Sequence, residues 1–268
     1  MKTIDIKFLA AKRGGFLKLN GKRLLLFATA ILAVGALIGA ADPAVRAAAA
    51  RAAGLPSTAQ LQQALISAPA TGGEAGGLFH GTRMWAAVVD REGNLTAITT
   101  STSDPTQVWP GSQSIAKAKA NTANAFSLDS LALSTAQLYT FTQPGHSLAS
   151  LGQANPFDPN ALASPFALLR GDSGKLQGGM IFFGGGVPLY KNGKIIGGLG
   201  VSGDTSSCDH EIAKRVRDLL GLNPPGGPLV DDISYSSVDG ASVFTHPLSL
   251  NTYRNGVFIG NELPATGY

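Results

Sequence analysis

The sequence predicts an α+β fold in which helices pack on an antiparallel sheet. Two observations carry this prediction. Residues 85–100 and 180–202 each have the pattern of two strands joined by a short turn, and helical patterns separate and flank these hairpins. A parallel sheet would need strand–helix–strand alternation, and the sequence has none of that kind.

The N-terminal part of the domain is predicted as a helix followed by the first hairpin. Ser57 is a typical N-cap residue. The apolar face of the helix that follows is formed by Leu61, Leu65 and Ile66. Residues 69–77 are rich in Pro, Gly and Thr and predict a loop. Trp85–Asp90 then predicts a buried strand, and Leu95–Thr100 alternates as its partner.

The middle of the chain is predicted as a second helix and a long insert. The helix starts at Ser112 or Ser114, ends near Phe126 and is rich in Ala and Lys. Its Lys117 and Lys119 either contact acidic groups or lie on a solvated face. The insert spans residues 127–175, and the spacing of its first leucines indicates a helix. These are Leu128, Leu131, Leu133 and Leu138.

The second hairpin is the strongest local prediction. Asn192-Gly193 separates the apolar runs Met180–Tyr190 and Lys194–Ser202, and this pair favours a type I′ turn because both residues accept positive φ. A last helix starts at Asp204 or Thr205 and ends at Gly221. Its apolar face is formed by Ile212, Val216, Leu219 and Leu220. Residues 222–268 predict a tail laid over the domain, with a short strand near Val243.

The N-terminus has the anatomy of an export leader. Seven of the 21 Lys and Arg residues lie in residues 1–41, all of them before the apolar run 24–41. This segment predicts a signal peptide or a membrane anchor, and both place the domain in the periplasm or outside the cell. Residues 42–56 are Ala-rich and predict a linker. The remaining domain is slightly acidic, which excludes nucleic acid as a partner.

Two motifs near Ser202 suggest chemistry that their context does not support. Gly198-Leu-Gly200-Val-Ser-Gly203 matches the dinucleotide fingerprint, but no second parallel strand follows it. Gly200-Val-Ser202 lacks the closing glycine of a nucleophile elbow. What remains is a Gly-rich turn at a helix start, whose backbone N–H groups favour an anion.

The histidines and the single cysteine give no metal site by spacing. None of His80, His146, His210 and His246 is paired with another ligand at the spacing that zinc sites use. Cys208 has no intramolecular disulfide partner, and we expect it to be buried.

Four blocks of the chain resemble the GlcG/HbpS-like haem-binding family, in family order over residues 85–220. They are Trp85–Leu95, Ser114–Ala123, Gly185–Leu189 with Asn192–Gly203, and Asp209–Ala213. The resemblance implies a five-stranded antiparallel sheet flanked by helices, with profilin- or PAS-like layering, assembled into homo-oligomers. It implies haem or related tetrapyrrole binding in some members and links to glycolate or corrinoid pathways in others. On this basis residues 57–221 are the family domain, carrying the insert and followed by the tail.

The candidate ligand site combines the Gly-rich turn with the second helix, near a subunit boundary. The turn would donate N–H groups to a haem carboxylate, Lys119 would supply positive charge, and the glycines would let a flat ring approach the backbone. No Cys-x-x-Cys-His is present, so any haem is held noncovalently, and His, Met, Tyr and Cys stay open as iron ligands. The candidate residues are Lys119, Gly185, Gly186, Gly200, Val201, Ser202, Gly203, His146 and His210.

Three functions remain open at this point. The first is an extracytoplasmic haem-binding protein without a catalytic residue set. The second is an enzyme acting on a small carboxylate such as glycolate, or on haem. The third is an oligomeric structural or interaction module without a ligand, because the glycines would equally permit close packing between subunits.

Overall fold

The computed structural model describes residues 43–153 and 179–265. The predicted leader, the end of the insert and the last three residues lie outside these ranges. Within them, no helix combines the length and apolar character needed to cross a membrane.

Along the described residues, pairs of helices alternate with pairs of short strands. The helices are α1 Pro43–Ala52, α2 Thr58–Ser67, α3 Gly111–Phe126, α4 Ala149–Gln153, α5 Ser206–Leu219 and α6 Ser236–Asp239. The strands are β1 Trp85–Asp90, β2 Leu95–Thr100, β3 Gly186–Lys191, β4 Lys194–Ser202, β5 Thr252–Arg254 and β6 Val257–Gly260. Short 3₁₀ turns lie at Ala68–Ala70, Pro105–Gln107, Ala136–Leu138 and Thr140–Thr142.

The main sheet is fully antiparallel, with strand order β2-β1-β4-β3. This confirms the α+β class and corrects the expected five strands. The sheet has four strands, and β5 and β6 form a separate two-stranded sheet. The tail hairpin does not extend the main sheet, because Thr252 at its start bridges to Gly76 in the loop before β1.

Helices cover both faces of the sheet, and the alternation along β1 assigns side chains to two cores. Val88 faces α2 and α5, in a cluster with Leu61, Leu65, Leu199, Ile212 and Val216. Trp85, Ala87 and Val89 face α3, in a cluster with Ile98, Val108, Ala116 and Ala120. Each fully buried Leu, Ile or Val contributes about 1.5–3 kcal/mol, so these clusters carry much of the stability.

The start of the domain follows the prediction closely. Ser57 accepts a hydrogen bond from the Gln60 backbone, and the Gln60 side chain accepts one in return from the Ser57 N–H, which makes a capping box. β1 and β2 have the predicted bounds. One residue of the predicted apolar face is wrong: Ile66 is 56% exposed, because the buried side of α2 is formed by Leu61, Ala64 and Leu65.

The second hairpin has the predicted turn but a shorter first strand. Asn192 and Gly193 have φ of 51° and 75°, as a type I′ turn requires. β3 begins at Gly186 and not at Met180. The N–H groups of Ile181 and Gly184 instead donate to the Thr122 hydroxyl and to the ring of His246, and this segment joins no ladder.

Glycines in β4 let α3 lie directly on the sheet. A Cβ on Gly198 would overlap the carbonyl of Ala120, and a Cβ on Gly200 would overlap that of Ala116. The close contact buries the side of α3 that carries Lys119. The solvated alternative for Lys117 and Lys119 is therefore wrong.

The start of the insert forms turns where a helix was predicted. Leu128 and Leu131 bond to each other across a turn, and both side chains are exposed. The hydroxyl of Ser127 accepts from the Leu133 N–H, so the backbone bonds that a helix would need are used locally. At the other end of the domain, the predicted linker 42–56 contains the helix α1.

The tail is anchored to α5 by buried charge. Arg217 pairs with Asp231 through two hydrogen bonds of 2.7 and 2.6 Å, and both side chains are fully buried. The same guanidinium donates to the carbonyls of Pro188 and Pro228, which joins the helix, β3 and the tail. Val243 lies in a turn, so the strand predicted there is wrong, and the tail strands are β5 and β6.

Candidate functional site

The structure brings Lys119 together with the Gly-rich hairpin, but inside the core. Its ammonium lies 2.7 Å from Asp209 Oδ2 and 3.1 Å from the Val201 carbonyl, and 4.8 Å from the centroid of the Phe183 ring. Gly185 closes over this group, and its carbonyl accepts from the Val201 N–H at 2.7 Å. Gly186 packs against Thr135 and the α3 backbone. The predicted charge therefore has a partner within the protein.

Burial sets the electrostatics of this interior pair, Lys119 and Asp209. Loss of solvation lowers the pKa of the lysine, and the charge of Asp209 opposes that shift. Loss of solvation also raises the pKa of Asp209 to about 6, against the stabilising charge of Lys119. A pair of this kind is costly to break, because either partner alone would be an uncompensated buried charge. It is a structural element of the fold.

Backbone donors at and directly after the Gly200–Gly203 turn are engaged within the chain, beginning with the Val201 N–H, which donates to the Gly185 carbonyl. Asp209 Oδ1 accepts from the Asp204 N–H at 2.9 Å. The carboxylate of Asp204 in turn accepts from the loop before β1, at the N–H groups of Leu78, Phe79 and Gly81 (2.6, 2.8 and 3.4 Å). Ser202 is buried, and a Cβ on Gly203 would overlap the Arg83 carbonyl. The anion that this turn favours is supplied internally.

The two histidines among the candidate site residues lie in different environments. His210 is fully buried on α5, where its Nε2 is 3.5 Å from Asp232 Oδ1 and neither ring nitrogen has a hydrogen-bond partner among the described residues. Burial alone would raise the pKa of Asp232, but the His210 contact and the Lys214 charge outweigh it and lower that pKa. His146 is exposed in the insert. Cys208 is buried as predicted, and burial raises the pKa of its thiol.

An open cavity of about 170 Å³ lies against Gly203, on the outer side of the turn. Its aromatic walls are Phe79 and Trp109, whose ring centroids are 5.4 Å apart at an interplanar angle of 72°. The Arg83 guanidinium lies 5.1 Å from the Phe79 centroid. The other lining residues are Thr106, Gln107, Val108 and Pro110. We call this the rim cavity.

The rim cavity has features of a binding site that the interior pair lacks. Trp109 is 48% exposed, and Arg83 is exposed without an ion pair in the described ranges. α3 begins at Gly111, directly after Trp109-Pro110, and no side chain caps its N-terminus. The positive end of a helix favours an anion. Flat apolar walls, a cation and a helix N-terminus together suit a flat ligand that carries a carboxylate.

A model of the family described as "Haem degrading protein HbpS-like" matches residues 58–218, which is more than half of the chain. This chain belongs to the HbpS-like family. The matched span starts at α2 and ends in α5, so it includes the whole main sheet, the interior pair and the rim cavity.

Similar proteins cover parts of this HbpS-like chain. The corrinoid adenosyltransferase PduO of Salmonella typhimurium is 43% identical over 53 residues, which are 20% of this chain and 16% of that protein. The chain thus spans about a sixth of that relative's length. The PduOC:haem complex is 25% identical with a TM-score of 0.43, covering 61% of this chain and 91% of the other. A double mutant of HbpS from Streptomyces reticuli is 22% identical with a TM-score of 0.41, covering 62% and 87%.

Of the residues that line the rim cavity of this HbpS-like domain, sequence reasoning named Gly203 and missed Phe79, Arg83 and Trp109. Phe79 and Arg83 lie in a Gly-rich loop, and Trp109 lies in the connection between β2 and α3. The available signal was an aromatic residue directly before Pro110 and Gly111. Exposed clusters of apolar side chains mark interaction sites, but the exposure of Trp109 and its contact with Phe79 follow only from the fold.

Proposed function

We propose that this protein binds haem noncovalently, outside the cytoplasm, with the rim cavity as the place where the macrocycle meets the protein. The observation that carries the proposal is the HbpS-like match over 58–218, whose description names haem. The contents of the rim cavity support it, since they match the two chemical features of haem, a broad apolar ring and carboxylates.

Each part of haem has a suited group in the rim cavity. The exposed indole of Trp109 and the ring of Phe79 offer apolar surface for the macrocycle. The Arg83 guanidinium and the positive end of the α3 dipole favour a propionate. Bound haem would supply a redox-active iron.

The size of the rim cavity supports a haem site shared between two subunits. About 170 Å³ is well below the roughly 300–1,000 Å³ of cavities that enclose a drug-sized ligand. The cavity would therefore hold one edge of the haem and leave the rest to solvent or to a second copy of the chain. A homo-oligomer with haem near a subunit boundary fits this size. Export by residues 1–41 is part of the same proposal, because it would bring the site to extracytoplasmic haem.

The decisive experiment is a hemin titration of the purified protein followed by its Soret band. We expect saturable binding, weakened by Trp109→Ser. The matched control is Phe258→Ser, which removes an aromatic side chain of similar exposure (50%) from the tail hairpin and should leave hemin affinity unchanged. Absence of any Soret change in the wild type would refute haem binding, and the ligand-free oligomeric module would become the leading function.

The description of the family names haem degradation, so degradation of haem is the second candidate. The same loaded protein distinguishes the two functions. In air with a mild reductant, a binding protein keeps its Soret band for hours, whereas a degrading enzyme loses it and releases iron that a chelator detects.

A further inference from the structure

We infer that His80 is the protein ligand of the haem iron, with its ring held in place by Glu74. The inference rests on the proposed haem binding and adds the coordinating residue, for which the sequence offered His146 and His210 as candidates. The observation behind it is a carboxylate–histidine pair on the loop that also carries two residues of the rim cavity.

The pair leaves one imidazole nitrogen free. His80 Nδ1 lies 3.0 Å from Glu74 Oε1, and the side chains are 60% and 41% exposed. Glu74 is itself fixed, because the same oxygen accepts from the N–H groups of Ala75 and Gly76 at 2.8 Å each. A carboxylate that accepts from Nδ1–H leaves Nε2 as the free ring nitrogen, the arrangement that orients metal-binding histidines.

The backbone at His80 is held in an uncommon conformation. Its φ is 53°, in the left-handed region that residues other than glycine rarely adopt. The Asp204 carboxylate maintains it by accepting N–H bonds from Leu78, Phe79 and Gly81, on both sides of the histidine. Backbone and ring are thus fixed by two separate carboxylates, and strained residues fixed in this way are concentrated at binding sites.

The surroundings of the other three histidines make them poorer ligands. His246 is buried, with Nδ1 bonded to the Pro247 carbonyl at 2.7 Å and Nε2 accepting from the Gly184 N–H at 3.2 Å. His210 is fully buried, so its ring is closed off from a ligand at the surface. His146 is exposed, but no described carboxylate or carbonyl orients its ring.

The loop presents three functions within five consecutive residues. Phe79 contributes an aromatic wall and Arg83 a cation to the rim cavity, and His80 lies between them in the chain. A ligand for iron, a surface for the macrocycle and a partner for a propionate are therefore carried by one anchored segment.

The first test replaces the His80 side chain and preserves the backbone conformation at this position. His80→Asn keeps a residue that tolerates positive φ and removes the imidazole. Loaded with hemin, the wild type should give the optical and electron paramagnetic resonance signature of imidazole-ligated iron, and His80→Asn should lose it. His80→Gly should regain it when free imidazole is added, which a folding defect would not allow.

The second test addresses the role of Glu74 as a positioning residue. Glu74→Gln should lower hemin affinity about tenfold and raise the iron reduction potential, because a neutral amide makes the imidazole a weaker donor. Glu92→Gln, which changes an exposed carboxylate in the β1–β2 turn, should alter neither quantity.

The outcomes separate the inference from the proposed function. If the wild type binds hemin and His80→Asn keeps the imidazole signature, or if His146→Ala loses it instead, the inference about His80 is wrong and haem binding stands. If the wild type binds no hemin, both fail.

Discussion

Two groups of charged side chains lie near the end of β4, and they differ in whether the protein itself supplies their ion-pair partners. The interior pair, Lys119 and Asp209, is fully buried, and its hydrogen bonds go to other parts of the chain. At the rim cavity, Arg83 is exposed and has no ion pair in the described ranges. A charge whose partners are all internal serves the fold, whereas an exposed and unpaired one is available to a ligand. Substitutions at the interior pair should therefore change the free energy of unfolding, whereas substitutions at the rim cavity should change hemin affinity.

The largest effect should come from breaking the interior pair. Lys119→Ala leaves Asp209 charged or protonated in a dry core, and we expect it to lower the free energy of unfolding by about 3–5 kcal/mol. Urea unfolding followed by circular dichroism measures this loss. The double variant Lys119→Met with Asp209→Asn removes both charges, keeps an acceptor for the Asp204 N–H and should recover most of it. If Lys119→Ala alone were as stable as the wild type, the interior pair would not contribute to the stability of the fold.

His246 should make the interior sensitive to acid. Burial lowers the pKa of this histidine from 6.5 to about 4, and the nearby charges of His210 and Lys119 add to the shift. Between these values the unfolded chain takes up a proton and the folded chain does not. Stability is therefore fully present above pH 6.5 and is lost as the pH falls towards 4, by about 3 kcal/mol.

The matched variant for this prediction is His246→Gln. Asp209, whose raised pKa acts in the opposite direction over the same pH range, is present in both proteins and cancels in the comparison. The stability advantage of the wild type should shrink as the pH falls from 7 to 4. An advantage that is constant with pH would contradict the assignment.

The contact of α3 with β4 should not accommodate even one additional methyl group. Gly200→Ala places a Cβ against the Ala116 carbonyl, and separating helix from strand should cost about 1–3 kcal/mol. Gly111→Ala is the control, since it adds the same methyl group at the exposed start of α3 with nothing within 4 Å. Equal melting temperatures of the two variants would argue against the close contact.

The smallest effect on stability is expected at the rim cavity. Arg83→Gln should leave the free energy of unfolding unchanged and weaken hemin binding by about fivefold or less, because an exposed ion pair is worth about 0–1 kcal/mol. The loss should be greatest at low salt. Lys191→Gln removes an exposed charge elsewhere and should not change affinity. If Arg83→Gln lowered the free energy of unfolding, Arg83 would have a structural role like that of the interior pair.

The strength of local signals explains how much of the fold could be predicted. Asn192-Gly193 and Ser57 act through their own backbone and nearest neighbours, so the turn and the helix cap were predicted correctly. The start of β3 was predicted wrongly because the segment before it bonds to Thr122 and His246, which are distant in sequence. The turn at Leu128 was also predicted wrongly, and its carbonyl accepts from the hydroxyl of the distant Tyr190.

The candidate site was harder to predict for the same reason. The helix that carries Lys119 contains no acidic residue, and the partner of this lysine, Asp209, is 90 residues away in the chain. Lys119 is paired inside the protein, whereas Arg83 is exposed and free to bind a ligand. This difference depends on burial, which amino-acid composition does not reveal. The family resemblance did hold, because its blocks include the glycines and small residues that the α3–β4 contact requires.

The clamp by Asp204 has a consequence for the thermodynamics of binding. A segment containing Gly76, Gly77 and Gly81 would ordinarily sample many conformations, and a ligand would have to bear the entropic penalty of ordering it. The Asp204 carboxylate imposes that order when the chain folds, through bonds to Leu78 and Phe79. The penalty is then already included in the folding free energy, and association at this loop can proceed without it.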